Sequence, residues 1–256
     1  MLCCQAAGGN PSLAEPAATA WALLYAAAHL LDSTQDGDPP EAWWEPLGPG
    51  PASNVATGLI ATSALLLTSG NLLVEDFFQT VLQMSSAQHL DLTVCSPSLE
   101  ESWRIAEAKS GAFFGLACRA GARAAGIDEA LVSHYSTYGV CLGLLVQIGD
   151  DLGDLEAVKS GQSGHGQLAL PVAYFQSVGS PADQEALLRG LQGSEGGPSA
   201  DLVVIDLLGE AGAGLYLRAK VHQFRQRGAA ALRLGAQPSA TVNELLQLLE
   251  TTPSDM

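Results

Sequence analysis

The feature that most constrains the fold of this chain is the recurrence of apolar residues at α-helical spacing over long segments. Ile105, Ala108, Ala112, Leu116 and Ala120 follow one another at intervals of three or four residues. Such a stripe lets one face of a helix enter a core. Ala and Leu, the strongest helix formers, dominate the sequence, whereas aromatic residues make up only 6% of it. We therefore expect an all-α protein.

Capping and helix-breaking residues predict where the helices begin and end. Ser98 and Glu101 form a capping-box pattern that opens a long helix to about Ala125, and Asp128 opens another to about Leu155. No linker is long enough to divide the chain, so we expect a single domain over residues 1–256, with residues 1–15 as a candidate disordered terminus. About ten helices should surround one core. The other predicted helices run about Ala17–Thr34, Pro51–Ser69, Asn71–Leu90, Leu168–Gln176, Pro181–Leu191, Ala200–Glu210, Gly214–Leu234 and Ser239–Leu249.

The charge distribution restricts the partners of the chain. A formal net charge of −16 arises from 11 Lys and Arg against 27 Asp and Glu, and it argues against nucleic acid as a partner. No Lys or Arg occurs before Arg104, whereas eleven Asp and Glu do. An anionic ligand in that part of the chain must therefore be held by metal ions or by backbone N–H groups.

The hydropathy pattern predicts no membrane span. No segment reaches about 18 uninterrupted apolar residues, the length that a transmembrane helix needs. The N-terminus lacks the basic residues that open a signal peptide. A cytoplasmic location is the expectation.

Three aspartates lie close together near the C-terminal end of the apolar helix that begins near Asp128. Asp150, Asp151 and Asp154 are three or four residues apart and lie near one helical face. Carboxylates this close repel one another and favour a hard divalent cation between them. A solvated acidic helix end is the simpler alternative.

A second acidic pair, Asp32 and Asp36, lies four residues apart at the end of the first long helix. On its own it is typical of any polar helix end. Together, the two clusters suggest two apolar helices whose carboxylates face each other across a cavity. They would hold two or three Mg²⁺ ions on a diphosphate and let its carbon–oxygen bond ionise in a dry pocket.

These segments resemble the polyprenyl synthetase family of isoprenyl diphosphate synthases, from about Pro16 to Leu249. His29–Asp36 is similar to the first aspartate-rich motif of the family, DDxxD, with Ser33 in place of the second Asp. Gln88–Asp91 is similar to its GQ-x-x-D segment and Glu107–Ser110 to its Lys-Thr motif. Tyr138–Gln147 and Asp150–Asp154 match the second aspartate-rich motif and its approach. The resemblance implies the isoprenoid synthase helical bundle around a central cavity, an allylic prenyl diphosphate as substrate, and Mg²⁺ as cofactor.

The resemblance also assigns residue roles. The metal ligands would be Asp32, Asp36, Asp150 and Asp154, and these residues with Asp151 would form the catalytic set. Lys109 would contact the diphosphate. Gly166–Pro171 resembles the GK-x-TLP segment but has Gln167 where Lys is usual, so Lys159, expected in a mobile loop, is the candidate replacement. The further substrate-binding candidates are Gln147, Gln88, Ala27, Ala28 and Tyr138, of which the alanines would allow a deep pocket for farnesyl or longer chains. A homodimer is the expected assembly.

The departures from the family pattern leave the reaction open. Elongating members bind isopentenyl diphosphate through basic groups in regions that correspond to Cys4–Ser12 and Asp38–Trp44, where this chain has none. We therefore expect a terpene-synthase-like reaction in which the allylic cation cyclises, loses a proton or captures water. The alternatives are chain elongation with an unconventional site, prenyl transfer to a neutral acceptor, and a non-catalytic subunit that regulates a prenyl synthase.

Overall fold

The computed structural model describes residues 1–36, 47–68, 74–94, 96–160, 168–192 and 198–253. All regular secondary structure in these ranges is helical, which confirms the all-α prediction. The α-helices are α1 Leu2–Ala6, α2 Glu15–Asp36, α3 Pro49–Thr68, α4 Val74–Thr93, α5 Leu99–Ala106, α6 Ala112–Ala124, α7 Glu129–Lys159, α8 Ala169–Val178, α9 Pro181–Gln192, α10 Pro198–Glu210, α11 Ala213–Gly235 and α12 Ala240–Thr251. A 3₁₀ turn spans Pro11–Ala14, and a π-helical segment, Glu107–Gly111, joins α5 to α6.

The helix starts predicted from capping residues are confirmed. The Ser98 hydroxyl accepts a hydrogen bond from the Glu101 backbone N–H at 3.2 Å, and the Glu101 carboxylate accepts one from the Ser98 N–H at 2.8 Å. Asp128 is the N-cap residue of α7. The predicted helix from Ser98 to Ala125 has the expected extent, but the periodicity gave no indication of its π-helical interruption.

Helix α7 is the centre of the fold, and α6 and α11 pack along it on two sides. Its buried residues include Tyr135, Leu144, Leu145 and Ile148, each at most 1% exposed. Helix α2 packs mainly on α3 and also contacts α6. This arrangement supports the ends of α2 and α7, where the aspartates lie.

Two glycines allow the backbone of α7 to lie directly against the preceding helix. A Cβ atom on Gly143 would lie 2.2 Å from the carbonyl oxygen of Ser110, and one on Gly139 would lie 2.5 Å from that of Phe114. Both distances are far below van der Waals contact with backbone atoms that cannot move aside. These positions therefore fix how α7 is placed against the π-helical segment.

The expectation of a disordered terminus at residues 1–15 is wrong. Cys3 and Cys4 on α1 are 6% and 0% exposed, and Ala14 in the 3₁₀ turn is 1% exposed. Helix α1 packs on α6, where Cys3 lies over Gly121. Burial of small apolar residues keeps this segment folded. The sequence contains no indication of this burial, because the segment is short and rich in Gly and Pro.

Within the described residues, α3 and α7 are both long and apolar enough to cross a membrane by length and composition alone. The sequence expectation considered uninterrupted apolar runs, whereas an average over 18 residues tolerates Ser, Thr and Gly. Half of the most apolar window of α7 is buried, as expected of a central core helix. The corresponding window of α3 is only 28% buried, so α3 presents most of its apolar surface outward.

The close approach at Gly143 predicts a large loss of stability on substitution. Gly143→Ala should lower the free energy of unfolding by about 3 kcal/mol, because its methyl group overlaps the Ser110 carbonyl. Gly153→Ala, in the same helix with open space around its Cβ, should instead raise it by roughly 0.5 kcal/mol. Urea unfolding followed by circular dichroism measures both, and equal effects of the two substitutions would contradict the proposed helix contact.

Candidate active site

One face of α2 leads from aromatic side chains to the first pair of aspartates. Trp21, Tyr25, Ala28, Asp32 and Asp36 are spaced by three or four residues and share that face. The Asp32 side chain is 48% exposed, and Asp36 lies one turn further, at the end of the helix. The first predicted acidic pair therefore sits at the exposed end of a continuous helical stripe.

Lys109 ties this helix to its neighbours. Its Nζ atom lies 3.2 Å from Asp32 Oδ1 on α2 and 2.7 Å from Asp91 Oδ2 on α4. Burial opposes the charged form of Lys109, but Asp32 and Asp91 outweigh it and raise the pKa of the ammonium group. Lys109 therefore remains charged at neutral pH and holds two carboxylates from different helices.

Two amide side chains extend the same network. Gln88 Nε2 donates to Asp36 Oδ1 at 3.2 Å, and the Ser110 hydroxyl donates to Gln147 Oε1 at 2.9 Å. These contacts join α2 to α4, and the π-helical segment to α7. Asp91, Lys109 and Gln147 also line one small cleft with the buried Ser102 and Leu170.

Asp150 on α7 faces Asp32 on α2 closely enough for the two charges to interact. Although its side chain reaches the surface, crowding by protein atoms removes water from it and raises its pKa to about 6, and the negative charges of Asp154 and Asp32 add to this effect. Asp32 of the first acidic cluster and Asp150 of the second therefore lie within electrostatic reach of each other. We call the space between Asp32 and Asp36 on α2 and Asp150 and Asp154 on α7 the carboxylate cleft.

Asp151 lies behind this cleft and is 1% exposed. Neither of its two carboxylate oxygens makes a hydrogen bond of good geometry within the described residues, although the Leu170 backbone N–H and the Gln147 side chain lie close enough to act on its charge. Burial raises its pKa well above the usual range. The Leu170 backbone N–H opposes this rise, the charges of Asp154 and Asp150 add to it, and Gln147 opposes it more weakly. A buried carboxyl group of this kind costs folding free energy, which is typical of a functional site.

The donor chemistry of the carboxylate cleft fits a hard divalent ion. Among the described residues, no three His, Cys, Asp or Glu side chains are close enough together to hold a metal ion by themselves. Mg²⁺ is commonly bound through one or two carboxylates, with phosphate oxygens and water completing its coordination. Asp32, Asp36, Asp150 and Asp154 would supply the carboxylates in such a site.

Three predicted substrate-binding residues are not placed at the cleft. Ala27 is 0% exposed and packs against Ala52 and Ala56 of α3, because it lies on the opposite face of α2 from Asp32. Tyr138 is 0% exposed, and its hydroxyl donates to the Leu245 carbonyl oxygen at 2.8 Å, which makes it a packing residue between α7 and α12. Ala28 does lie on the face of Asp32. Of the two alanines from which a deep pocket was inferred, only Ala28 therefore still supports it.

Lys159 is the third predicted substrate-binding residue that is not placed at the carboxylate cleft. It was expected in a mobile loop, but it is the last residue of α7 and pairs with Glu156 at 2.6 Å. The Gly166–Gln167 part of the GK-x-TLP-like segment lies outside the described residues. Its remaining residues, from Leu168, cap and begin α8.

Sequence reasoning missed an aromatic wall next to the cleft, formed by Trp21, Tyr25, His29 and Phe113. The Trp21 and Phe113 rings stack with centroids 4.6 Å apart, and Tyr25 stacks on His29 at 6.2 Å. Trp21 Nε1 donates to the Phe113 carbonyl oxygen at 3.0 Å, while Tyr25 remains 54% exposed. Trp21, Tyr25 and His29 follow one another at intervals of four residues ahead of Asp32, and this spacing was the available sequence signal. Phe113 carried none.

Together, the fold and the cleft define an all-helical protein that brings two carboxylate clusters together around a lysine, next to an aromatic wall. The model of the polyprenyl synthetase family matches residues 3–190, and the chain belongs to this family. It is 29% identical over 151 residues to a geranylfarnesyl diphosphate synthase of Methanosarcina mazei, and 32% identical over 148 residues to a tryptophan prenyltransferase of Bacillus subtilis subsp. natto. These matches span 57% and 56% of the chain but only 50% and 46% of the relatives.

A solved structure matches almost the whole chain. A polyprenyl synthase from Caulobacter crescentus, solved with calcium and isoprenyl diphosphate, superposes with a TM-score of 0.87 at 22% identity, over 99% of this chain and 82% of the other. At that identity the match concerns the fold. It confirms the isoprenoid synthase bundle expected from the sequence.

The raised pKa of Asp150 predicts how stability depends on pH. Because the folded protein binds the Asp150 proton more tightly than the unfolded chain does, the charged carboxylate is a cost that grows as the pH rises from about 4 to about 6. Asp150→Asn should therefore melt at a higher temperature than the wild type at pH 7.5, and this gain should shrink toward pH 4. Differential scanning calorimetry across this range is the measurement, and a gain that does not change with pH would contradict the assignment.

Proposed function

We propose that this protein is a prenyltransferase that ionises an allylic prenyl diphosphate with divalent metal ions and transfers the prenyl group to an uncharged acceptor. The main support is the meeting of Asp32 on α2 with Asp150 on α7, next to Lys109. The relatives are a prenyl diphosphate synthase and a prenyltransferase, and they favour transfer over the terpene-synthase-like reaction expected from the sequence. The isoprenyl diphosphate and calcium of the Caulobacter protein are consistent with the ligands proposed here.

In the proposed reaction, the bond between C1 of the prenyl group and the diphosphate oxygen breaks, and its electron pair leaves with the diphosphate. Divalent ions would neutralise the charge of this leaving group. Asp32, Asp36, Asp150 and Asp154 would hold the ions, while Lys109 would donate to the diphosphate as a mobile point charge. A π bond of the acceptor then attacks C1, and the acceptor loses a proton to the released diphosphate.

The aromatic wall gives the apolar chain and the developing allylic cation a place next to the carboxylate cleft. Trp21, Tyr25 and His29 lie on the face of α2 that ends at Asp32, so a diphosphate at the aspartates would direct its prenyl chain along these rings. The faces of such rings attract a neighbouring cation. The exposed fraction of Tyr25, 54%, leaves its ring accessible to a ligand.

Charge favours an uncharged acceptor. A second diphosphate would need cations, and the chain has none before Arg104. Arg104 itself pairs with Glu100, Arg119 and Arg123 pair with Asp76, and Lys109 already contacts two carboxylates. The tryptophan prenyltransferase makes an indole a reasonable first acceptor to test. The second candidate function is chain elongation with isopentenyl diphosphate, which the geranylfarnesyl diphosphate synthase favours.

Product analysis with purified protein tests this proposal. Mg²⁺ and geranyl, farnesyl or geranylgeranyl diphosphate are incubated with an indole or with labelled isopentenyl diphosphate, and the products are analysed by mass spectrometry. Prenylated indole is the expected product, with kcat/KM lowered about a hundredfold or more by Asp32→Asn or Asp150→Asn. Asp183→Asn, a helix-end carboxylate of α9 bonded to Ser180, is the control and should leave the rate unchanged.

The alternatives give different products. Longer diphosphates would support the second candidate function. Phosphate-free hydrocarbons or alcohols formed without acceptor would restore the terpene-synthase-like reaction. Turnover that survives loss of the Asp32 and Asp150 charges would remove the carboxylate cleft from the mechanism.

We further propose that the protein forms a homodimer through α3 and α4. Helix α3 has no charged residue, and neither has the part of α4 from Phe77 to Leu90. Val55 on α3 is 40% exposed, and Phe78 and Leu82 on α4 are 46% and 67% exposed. Two copies that each carry a net charge of −16 repel one another, so an uncharged apolar face is where they could approach most closely.

Leu82→Asp should convert this dimer to a monomer, because it would bury a carboxylate in the contact. Sedimentation velocity measures the change. Leu215→Asp is the matched control, since Leu215 is 74% exposed on α11, away from α3 and α4. A wild-type monomer would overturn the dimer proposal, and binding to lipid vesicles that Leu82→Asp abolishes would assign this face to a membrane surface.

A further inference from the structure

Lys109 and Asp32 form an ion pair at the place where the proposed ligands would bind. The Lys109 ammonium lies 3.2 Å from Asp32 Oδ1, and the lysine side chain is only 21% exposed. Asp32 is also one of the four carboxylates proposed to hold divalent ions. The Lys109 ammonium and a divalent ion from solution would therefore compete for the Asp32 carboxylate.

Within the described part of the chain, Asp32 has no ion pair with a Lys or Arg other than Lys109. The sequence has no Lys or Arg before Arg104, and Lys159, five residues beyond Asp154 at the end of α7, pairs with Glu156. Around Lys109 stand Asp32 and Asp91, and Asp150 is within electrostatic reach of Asp32. One lysine thus balances part of a strongly acidic cluster.

A divalent ion would bind a carboxylate oxygen of Asp32 at about 2.1 Å. Charges of +2 and +1 about 4 Å apart repel by about 2 kcal/mol even at the dielectric constant of water. An ion on Asp32 would therefore weaken the contact of Lys109 with the same side chain. A diphosphate beside the ion offers the ammonium a new anionic partner.

On this basis, and resting on the proposed function, we propose that Lys109 is a competing cation that couples the two ligands. Lys109 opposes metal binding at Asp32 when no diphosphate is present, and the diphosphate removes this opposition by drawing Lys109 to itself. Metal and diphosphate therefore bind together more tightly than either binds alone. By thermodynamic linkage, each raises the affinity for the other by the same factor.

The surroundings of Lys109 allow its side chain to move while its backbone stays in place. The backbone is held because the neighbouring Ser110 contacts Gly143 and Gln147 of α7. The side chain is a flexible unbranched stem that ends in a point charge. Asp91, at 2.7 Å, keeps the ammonium close to the cleft when it leaves Asp32.

Binding of Mn²⁺ tests the proposal without any turnover. The free Mn²⁺ signal in electron paramagnetic resonance gives the affinity of the full chain, with and without inorganic pyrophosphate. Lys109→Met should bind Mn²⁺ alone about tenfold more tightly than the wild type, as expected for relief of about 1.4 kcal/mol of repulsion. The tightening by pyrophosphate should be about tenfold smaller in Lys109→Met than in the wild type.

Matched variants separate this role from a general effect of charge or folding. Lys220→Met removes a lysine that lies over the Trp103 and Tyr216 rings, and it should leave both affinities unchanged. Lys109→Arg keeps the positive charge and should keep the coupling. Lys109→Gln, which retains a hydrogen-bond donor for Asp91, replaces Lys109→Met if that variant does not melt cooperatively.

Two results would overturn the proposal. One is a charge-removing variant, Lys109→Met or Lys109→Gln, that binds Mn²⁺ alone no more tightly than the wild type, and the other is full retention of the pyrophosphate effect in that variant. Pyrophosphate has no prenyl group, so failure to find a transfer product leaves this test unaffected. A wild-type chain that binds no Mn²⁺ even with pyrophosphate would overturn both this inference and the proposed function.

Discussion

The backbone contact between α7 and the π-helical segment determines where the chemically important side chains lie. Gly143 brings the α7 backbone against the Ser110 carbonyl, where any Cβ atom would overlap it. One turn further along α7, Gln147 accepts a hydrogen bond from the Ser110 hydroxyl, and Asp150 follows three residues later. Lys109 immediately precedes Ser110. A packing contact between two uncharged residues therefore sets the distance between the lysine and the second acidic cluster.

The carboxylate cleft lowers the stability of the fold, and this loss of stability indicates that the cleft has a function. Asp151 is almost completely buried, without a hydrogen bond of good geometry among the described residues, and burial raises the pKa of Asp150 to about 6. Replacing such groups with neutral side chains would make a more stable protein. Natural sequences retain unfavourable arrangements of this kind mainly where a ligand requires them. This cost supports the proposed binding of cations by the acidic cluster.

Much of this architecture could be predicted from the sequence because it depends on local signals. The Ser98 capping box, the start of α7 at Asp128 and the exit of α2 near Asp36 are set by residues next to the helix ends. The convergence of the two acidic clusters was also inferred, but from their chemistry and a family resemblance. Spacing alone does not state which helices are neighbours.

The failures have a common physical origin, which is the direction of a side chain around its helix. Ala27 and Ala28 are adjacent in sequence, yet the 100° step between them turns Ala27 toward α3. Tyr138 lies on the face of α7 that packs on α12. Counting back from Asp32 in steps of three and four would have selected Ala28, Tyr25 and Trp21. The π-helical segment and Phe113 depend on tertiary packing, and no local pattern could reveal them.

The charge balance at the cleft also limits the reaction. Among the described residues, Lys109 pairs with Asp32 of the first acidic cluster, and the segments Cys4–Ser12 and Asp38–Trp44 contain no Lys or Arg. A prenyl diphosphate brings its negative charge together with divalent ions, so one such substrate can be accommodated. A second diphosphate would have to approach eleven acidic residues of the first 103 without a cation of its own. An acceptor without charge would meet no such barrier and could use the aromatic wall, which is the basis for the proposed transfer to a neutral, electron-rich molecule.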